Sequence, residues 1–390
     1  MEPVLTRFRY EFAFDKDFEL GQVKALVENA ISGKELLAED VYVSVAVQEG
    51  DYSGFENASM EEFLETFGEI GFEGEGNELR LPLGEHVVEE DVVVPKGLKL
   101  VLEPGAEIRI GEGVSFVSYS SVEALGTKEE PVAVRALEEG RPFGVFAVLG
   151  NGKETMVRLY NFEISGGSEK FFNGVFFSGQ LSVYHADLEI VDSKASGSVS
   201  DDGLNAKYGK VLIENTVFSG NRADQVDLDF CDGIVKGSEF SIGGSPVSGD
   251  GLDVSGSKIL VKESLFEGMQ DKGISVGEES WLLAFGNHVR DNNLGAAVKD
   301  NSRAFFVENV FEGNLVAITS YEKKPLFGGA NFWVKGNTFL ENGQSFELDE
   351  KSAYYLLPLS GEEIGRMKQA VEGEDLEALE GLLPEYKVME

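Results

Sequence analysis

The stretch QVDLDFCDG at residues 225–233 alternates apolar and acidic side chains. On an extended chain Val226, Leu228 and Phe230 fall on one side, and Asp227 and Asp229 on the other. Twenty-six residues after Asp227, GDGLDVSG repeats the device with Asp253. Crowded carboxylates can serve as hard oxygen ligands for Ca²⁺, as partners of lysines, or as a catalytic pair sharing a proton. They can also be solvated aspartates on an acidic surface, and the pattern leaves all four readings open.

Which residues accompany them depends on the elements that carry them. A small polar residue two places before an apolar one recurs in NTVF, GSEF, ESLF, GNHV, ENVF and GNTF. The last residues of these segments, Phe218, Phe240, Phe266, Val289, Phe311 and Phe339, are spaced by 22, 26, 23, 22 and 28. Out of phase with them run DGLNAK, DQVDLD, DGLDVS, KGISVG, LGAAVK and LVAITS, each alternating as a short strand does. Two strands per repeat of this length predict a parallel β-solenoid, in which each coil buries its inner face by stacking on its neighbours. Leu204, Val226, Leu252, Ile274, Ala296 and Ala317 are expected in one inward column, and Ala206, Leu228, Val254, Val276, Val298 and Thr319 in another. Thr216, Ser238, Ser264, Asn287, Asn309 and Asn337 should form a polar ladder at a corner.

This register places Asn205, Asp227, Asp253, Ser275 and Ala297 in one outward column, and Lys207, Asp229, Ser255, Gly277 and Lys299 in another. Coils lie ~4.8 Å apart, so two stacked carboxylates repel by ~3 kcal/mol at an effective dielectric of ~20. The candidate metal ligands are therefore Asp227, Asp229 and Asp253. The same three with Lys299 are the candidate catalytic groups, and Asn205, Lys207 and Lys272 the candidate binding residues. No cofactor is required; Ca²⁺ is the one the pattern admits.

Composition narrows the partners. With 70 acidic against 33 basic residues the net charge is −37, which argues against nucleic acid, whose phosphates need clustered Lys and Arg, and against an anionic membrane surface. Cys231 is the single cysteine, excluding an intrachain disulfide and a thiolate metal site. His86, His185 and His288 fall in no common register, so neither a zinc site nor a Ser-His-Asp triad is expected. Residues 1–20 lack a basic start followed by an apolar core, so no signal peptide is expected in the chain, and no membrane span occurs.

Carried by VPKGLKLVLEPGAEI, VEALGTKEEPV and the repeats over roughly 80–350, the sequence resembles the right-handed parallel β-helix, or pectin-lyase-like, superfamily. DGLDVSGSKILVKESLFEGMQDKGISVGEES further resembles a surface-type subset of these proteins, some attached to spore-coat-protein-H-like domains. The resemblance implies an all-β fold, a right-handed parallel β-helix over 79–352; the residues on either side read as a small α/β N-terminal cap over 1–78 and a helical C-terminal tail over 353–390. It implies a surface or secreted, extracellular module that presents an acidic face to polysaccharide, cation or a surface protein. The alternative is a polysaccharide lyase or glycoside hydrolase working through the aspartates. The GHG and RIK segments of the family hydrolases and the DPH of its epimerases are absent; SDDG at 200–203 resembles only the hydrolases' aspartate pair.

The flanks read differently. Residues 4–14 and 41–47 alternate as strands, 19–33 are amphipathic with a glycine stop, and SMEEFLETFG begins with a serine cap and an acidic first turn. Capping the raw end of the solenoid is the expected task of this region. The acidic tail is expected to cover the other end or to meet a partner.

Overall fold

The computed structural model describes residues 57–384 except 200 and 244–248, together with Leu26–Glu28 and Glu35–Leu37. The chain divides into Met1–Asp51 and Tyr52–Glu390. In the first unit Leu26–Glu28 pairs antiparallel with Glu35–Leu37, so the described part of the amphipathic segment is strand and not helix. The strands expected at 4–14 and 41–47 lie outside the described residues. Everything below concerns the second unit.

There the chain winds into a solenoid whose strands stack as three parallel sheets of 13, 11 and 11 strands. The 13-stranded sheet includes one antiparallel pairing, at its N-terminal edge. One coil shows the plan: Leu204–Lys207 enters the sheet that carries the aspartates, Lys210–Glu214 the 13-stranded sheet and Val217–Ser219 the sheet that carries the phenylalanines. Leu204, Val226, Leu252, Ile274 and Ala296 stack as expected, and the first four are fully buried. Phe218, Phe240 and Phe266 stack face to face, with centroids 5.3 and 4.5 Å apart.

The coil at Val316–Tyr321 departs from the expected register by one residue. Ile318, not Ala317, follows Ala296, and Ser320, not Thr319, follows Val298. Val316 to Ser320 are all buried, so alternation in LVAITS carries no phase. The strand start is set instead by its fixed distance from the corner residues Asn292 and Asn314, which bond to each other.

The polar ladder is the solenoid's fastener. The backbone N–H of Thr216 donates to Ser238 Oγ, Ser238 to Ser264 Oγ, Ser264 to Asn287 Oδ1, Asn287 to Asn309 Oδ1 and Asn309 to Asn337 Oδ1, at 2.9–3.2 Å. Each rung satisfies a buried donor that a turn would otherwise orphan. The rung sits second in a two-residue corner whose first residue is left-handed, as at Asp192, Asn215, Glu263 and Glu308.

At the N-terminal end Ser59 and Glu62 form a capping box for helix Met60–Phe67. Its buried face sets Phe63 against Phe72, with centroids 5.0 Å apart, and Phe72 meets Phe116 of the first coils. This aromatic plug adjoins the first coils and joins their core. The tail does something else: helices Gly361–Glu372 and Leu376–Leu382 lie along the outside of the 13-stranded sheet, where Met367, Val371 and Leu379 bury Trp281, Leu283, Phe305 and Trp333. Lys236 and Lys262 both reach Glu374, at 2.9 and 2.8 Å. An outward apolar strip on that sheet needed a cover, and the helices supply it on a flank rather than across the end.

Truncating Phe240 or Phe266 to Ala should cost about 3–5 kcal/mol, because a rigid coil cannot collapse around the cavity. Denaturant melts read this directly, and a loss under ~1 kcal/mol would contradict the stacked interior.

Candidate functional site

The outward face of the aspartate sheet is apolar at one end and polar in its middle. Hairpin strands Lys170–Phe172 and Val175–Phe177 set Phe172 and Phe177 over Val117, Ala147 and Tyr184. Past that cover lie the expected columns: Asn205, Asp227, Asp253, Ser275 and, one column over, Lys207, Asp229, Ser255 and Gly277. Lys299 continues the second column beside Gly277, and Tyr321 follows it. The alternation read from the sequence therefore does bring Asp227, Asp229 and Asp253 to one exterior face.

Their partners differ. Asp229 is taken by Lys207 at 2.7 Å, whose ammonium also lies over the Tyr184 ring. Asp227 Oδ2 accepts from Asn205 Nδ2 at 2.8 Å. Lys299, almost wholly buried, donates to Ser275 Oγ at 2.7 Å and stands 4.0 Å from Asp253 Oδ1. Asp253 Oδ1 and Asn205 Oδ1 are buried without a hydrogen-bond partner among the described residues.

Three aspartates that the alternation does not reveal complete the site. Asp202, Asp224 and Asp250 occupy the corner two residues before each strand's first inward side chain, and Lys272 follows them in the next coil. They form their own ladder: Asp202 Oδ1 accepts from the N–H of Asp224, Asp224 Oδ1 from that of Asp250, and Asp250 Oδ1 from that of Lys272, at 3.2, 2.6 and 3.1 Å. Lys272 closes the series with its ammonium on Asp250 at 3.0 and 3.2 Å. The signal was present in DGL, DQV and DGL, an acidic residue at a constant offset from the inward column. Carboxylate oxygens of Asp224, Asp250 and Asp253 all lie within 4.8 Å of one another. Among the expected metal ligands Asp253 is thus in the converging set, Asp227 is beside it, and Asp229 is held by Lys207.

Burial and mutual repulsion govern the protonation of this recess. Burial, then the Asp201 charge, pushes Asp202 up to about 8. Asp224 and Asp227 are raised well above the usual carboxylate range, by burial first and then by neighbouring aspartates. Asp250 is raised by burial and by Asp253, against the pull of Lys272. Burial opposes the charge on Lys272, but Asp250 and Asp271 outweigh it and hold the ammonium protonated.

A family model described as "Right handed beta helix region" matches residues 173–356. The fold is a right-handed parallel β-helix. A solved mutant of the periplasmic alginate epimerase shares 14% identity over 76% of this β-helix chain and 82% of its own, with a TM-score of 0.51. An alginate lyase from a Paenibacillus species aligns at 15% over 63% and 93%, with a TM-score of 0.33. A surface adhesin of Streptococcus pneumoniae aligns at 12% over 77% and 91%, with a TM-score of 0.39. At these identities the likeness is one of fold. No curated protein matches the chain, and nothing in the comparisons touches the narrower likeness to proteins with spore-coat-H-like domains. Among the described residues no helix is long and apolar enough to cross a membrane.

The sign of the pH dependence follows from Asp202, whose ordinary value is 3.8 and whose folded value is about 8. Between them the folded chain keeps a proton that the unfolded chain has released, so stability falls as pH rises through that window. Without divalent cations, Tm should be higher at about pH 5 than at about pH 8, and Asp202→Asn should flatten the slope and raise Tm at the upper value. Melting curves across the interval check this, and a parent Tm that climbs instead would contradict it.

Proposed function

We propose that the protein is a surface or secreted binding module, and that the acidic recess of its aspartate sheet takes a divalent cation together with a hydroxyl-rich ligand, a polysaccharide. The observation that carries this is the convergence of Asp224, Asp250 and Asp253 beside the buried Oδ1 atoms of Asp253 and Asn205, which accept no hydrogen bond among the described residues. Five carboxylates, Asp202, Asp224, Asp227, Asp250 and Asp253, meet two lysines there, Lys272 and Lys299. A hard divalent cation relieves that excess, and Ca²⁺ takes six to eight oxygens, more than three carboxylates supply. The remaining positions suit ligand hydroxyls. Asn205 Oδ1 adds an acceptor for a further hydroxyl, while Lys207 and Lys299 offer cationic donors at the flank. Proteins of this fold include an alginate epimerase, and an acidic polysaccharide would reach an acidic face through such a cation.

The second reading is catalysis, as a polysaccharide lyase or hydrolase. It is favoured by a raised carboxyl at Asp227 next to Asp253, since a general acid must hold its proton near working pH. On that reading Asp227 donates, Asp253 is the base, and Lys299 and Asp229 steady developing charge. Release of reducing ends or unsaturated sugars from a polysaccharide panel, lost in Asp227→Asn, would support it over binding alone.

For the binding reading, millimolar Ca²⁺ should raise Tm by several degrees through selective binding to the folded state. Asp224→Asn with Asp253→Asn should abolish the rise, and Asp229→Ala should keep it. No shift in the parent, together with unchanged glycan-array binding in the double variant, would remove this reading.

A further inference from the structure

A second polar site lies on another face, where helix Leu376–Leu382 crosses the outside of the 13-stranded sheet. Between that helix and strands Trp281–Phe285 and Arg303–Val307 opens a groove of about 790 Å³, within the size range of small-molecule sites. Glu279, Trp281, Asn301, Arg303 and Glu377 line it. Arg303 is the unusual member. Arg80, Arg109, Arg135, Arg158 and Arg290 each face a glutamate. Arg303, half-buried, makes no ion pair or side-chain hydrogen bond among the described residues. Glu380 on the same wall is already occupied by Lys258 at 2.6 Å.

The corner above Arg303 is also built at a cost. Glu278, Glu279, Asp300 and Asn301 hold φ of 57°, 64°, 56° and 59°, two successive left-handed pairs in residues other than glycine. Such conformations persist where the surroundings enforce them, and here they set Glu279 and Asn301 one above the other, with Asn301 Nδ2 donating to Glu279 Oε1 at 3.1 Å. A free guanidinium calls for a planar anion such as a carboxylate. The oxygens of Glu279 and Asn301 on adjacent coils and of Glu377 on the helix across the groove call for donors, and they stand on different elements.

We propose that this groove binds a polyhydroxylated carboxylate, a sugar acid, with its carboxylate on Arg303 and its hydroxyls donating to Glu279, Asn301 and Glu377. A phosphate or sulfate suits it less, because its extra charge would face three glutamates. The site is separate from the acidic recess and needs no metal.

The chain has two tryptophans, so Trp333→Phe leaves Trp281, in the groove, as sole fluorophore. Titrating that variant with glucuronate should give a saturable fluorescence change, and glucuronate should raise the Tm of the parent chain. Glucose, which lacks the carboxylate, should do neither. Arg303→Gln should weaken glucuronate binding by at least about tenfold, Arg303→Lys should fall between because it loses the fork, and Asp224→Asn with Asp253→Asn should leave it unchanged. No response to glucuronate, or an equal one in Arg303→Gln, would overturn the proposal. Equal binding of succinate or glycine would overturn the hydroxyl contacts.

Discussion

Leu228, Ile213 and Phe218 cannot make a core within one coil; they are buried because the coils before and after lie directly on them, in register, about one strand spacing away. That axial register is the constraint on which the rest of the molecule depends. It turns single positions into columns, so that a choice made in one coil is felt by its neighbours. Inside, the result is favourable: like sits on like, and Phe218, Phe240 and Phe266 form a continuous stack. Outside, the same rule brings identical charges face to face.

The exterior answers that difficulty in two ways. On the N-terminal half of the 13-stranded sheet the signs alternate: Lys99 lies between Glu78 and Glu123, and Arg158 between Glu123 and Glu189. Burial works to raise Glu123, yet Lys99 and Arg158 hold it below its ordinary value. In the acidic recess alternation fails for three coils, Asp202, Asp224 and Asp250, before Lys272 restores it. The backbone N–H bonds of that ladder account for one oxygen of each carboxylate; Lys272 pairs with Asp250, while burial and mutual repulsion raise Asp202 and Asp224. A surface that alternates elsewhere and does not do so here concentrates like charge at one place, which is the ground for the binding proposed above.

Period and partner explain what the sequence disclosed. The inward columns, the phenylalanine stack and the polar corner ladder repeat at nearly constant spacing, so they could be read without coordinates, as could the outward turn of Asp227, Asp229 and Asp253. The corner aspartates escaped because they precede the strands, where alternation has no meaning. Ala317 and Thr319 were set one residue out because an apolar run conceals its phase. Trp281, Phe305 and Trp333 are buried, but they point away from the solenoid interior and are covered by helices more than twenty-five residues further along. No local pattern names such a cover, nor does one distinguish Arg303 beside it from the ion-paired arginines.

The corner that holds the polar ladder has two residues in every coil from Asp192–Ser193 to Gly336–Asn337. Before the ladder begins this edge of the prism admits the six residues 126–131. Along the ladder an added residue would pull a rung out of line in both directions, so there the edge is closed to insertion. The other two corners are not: one admits the hairpin within 166–180, the other the nine-residue excursion 322–330. Both border the aspartate sheet, one at each end of its strands. Loops beside the aspartate sheet can therefore lengthen or shorten while the scaffold keeps its count, so the surroundings of that face can vary without renegotiating the fold.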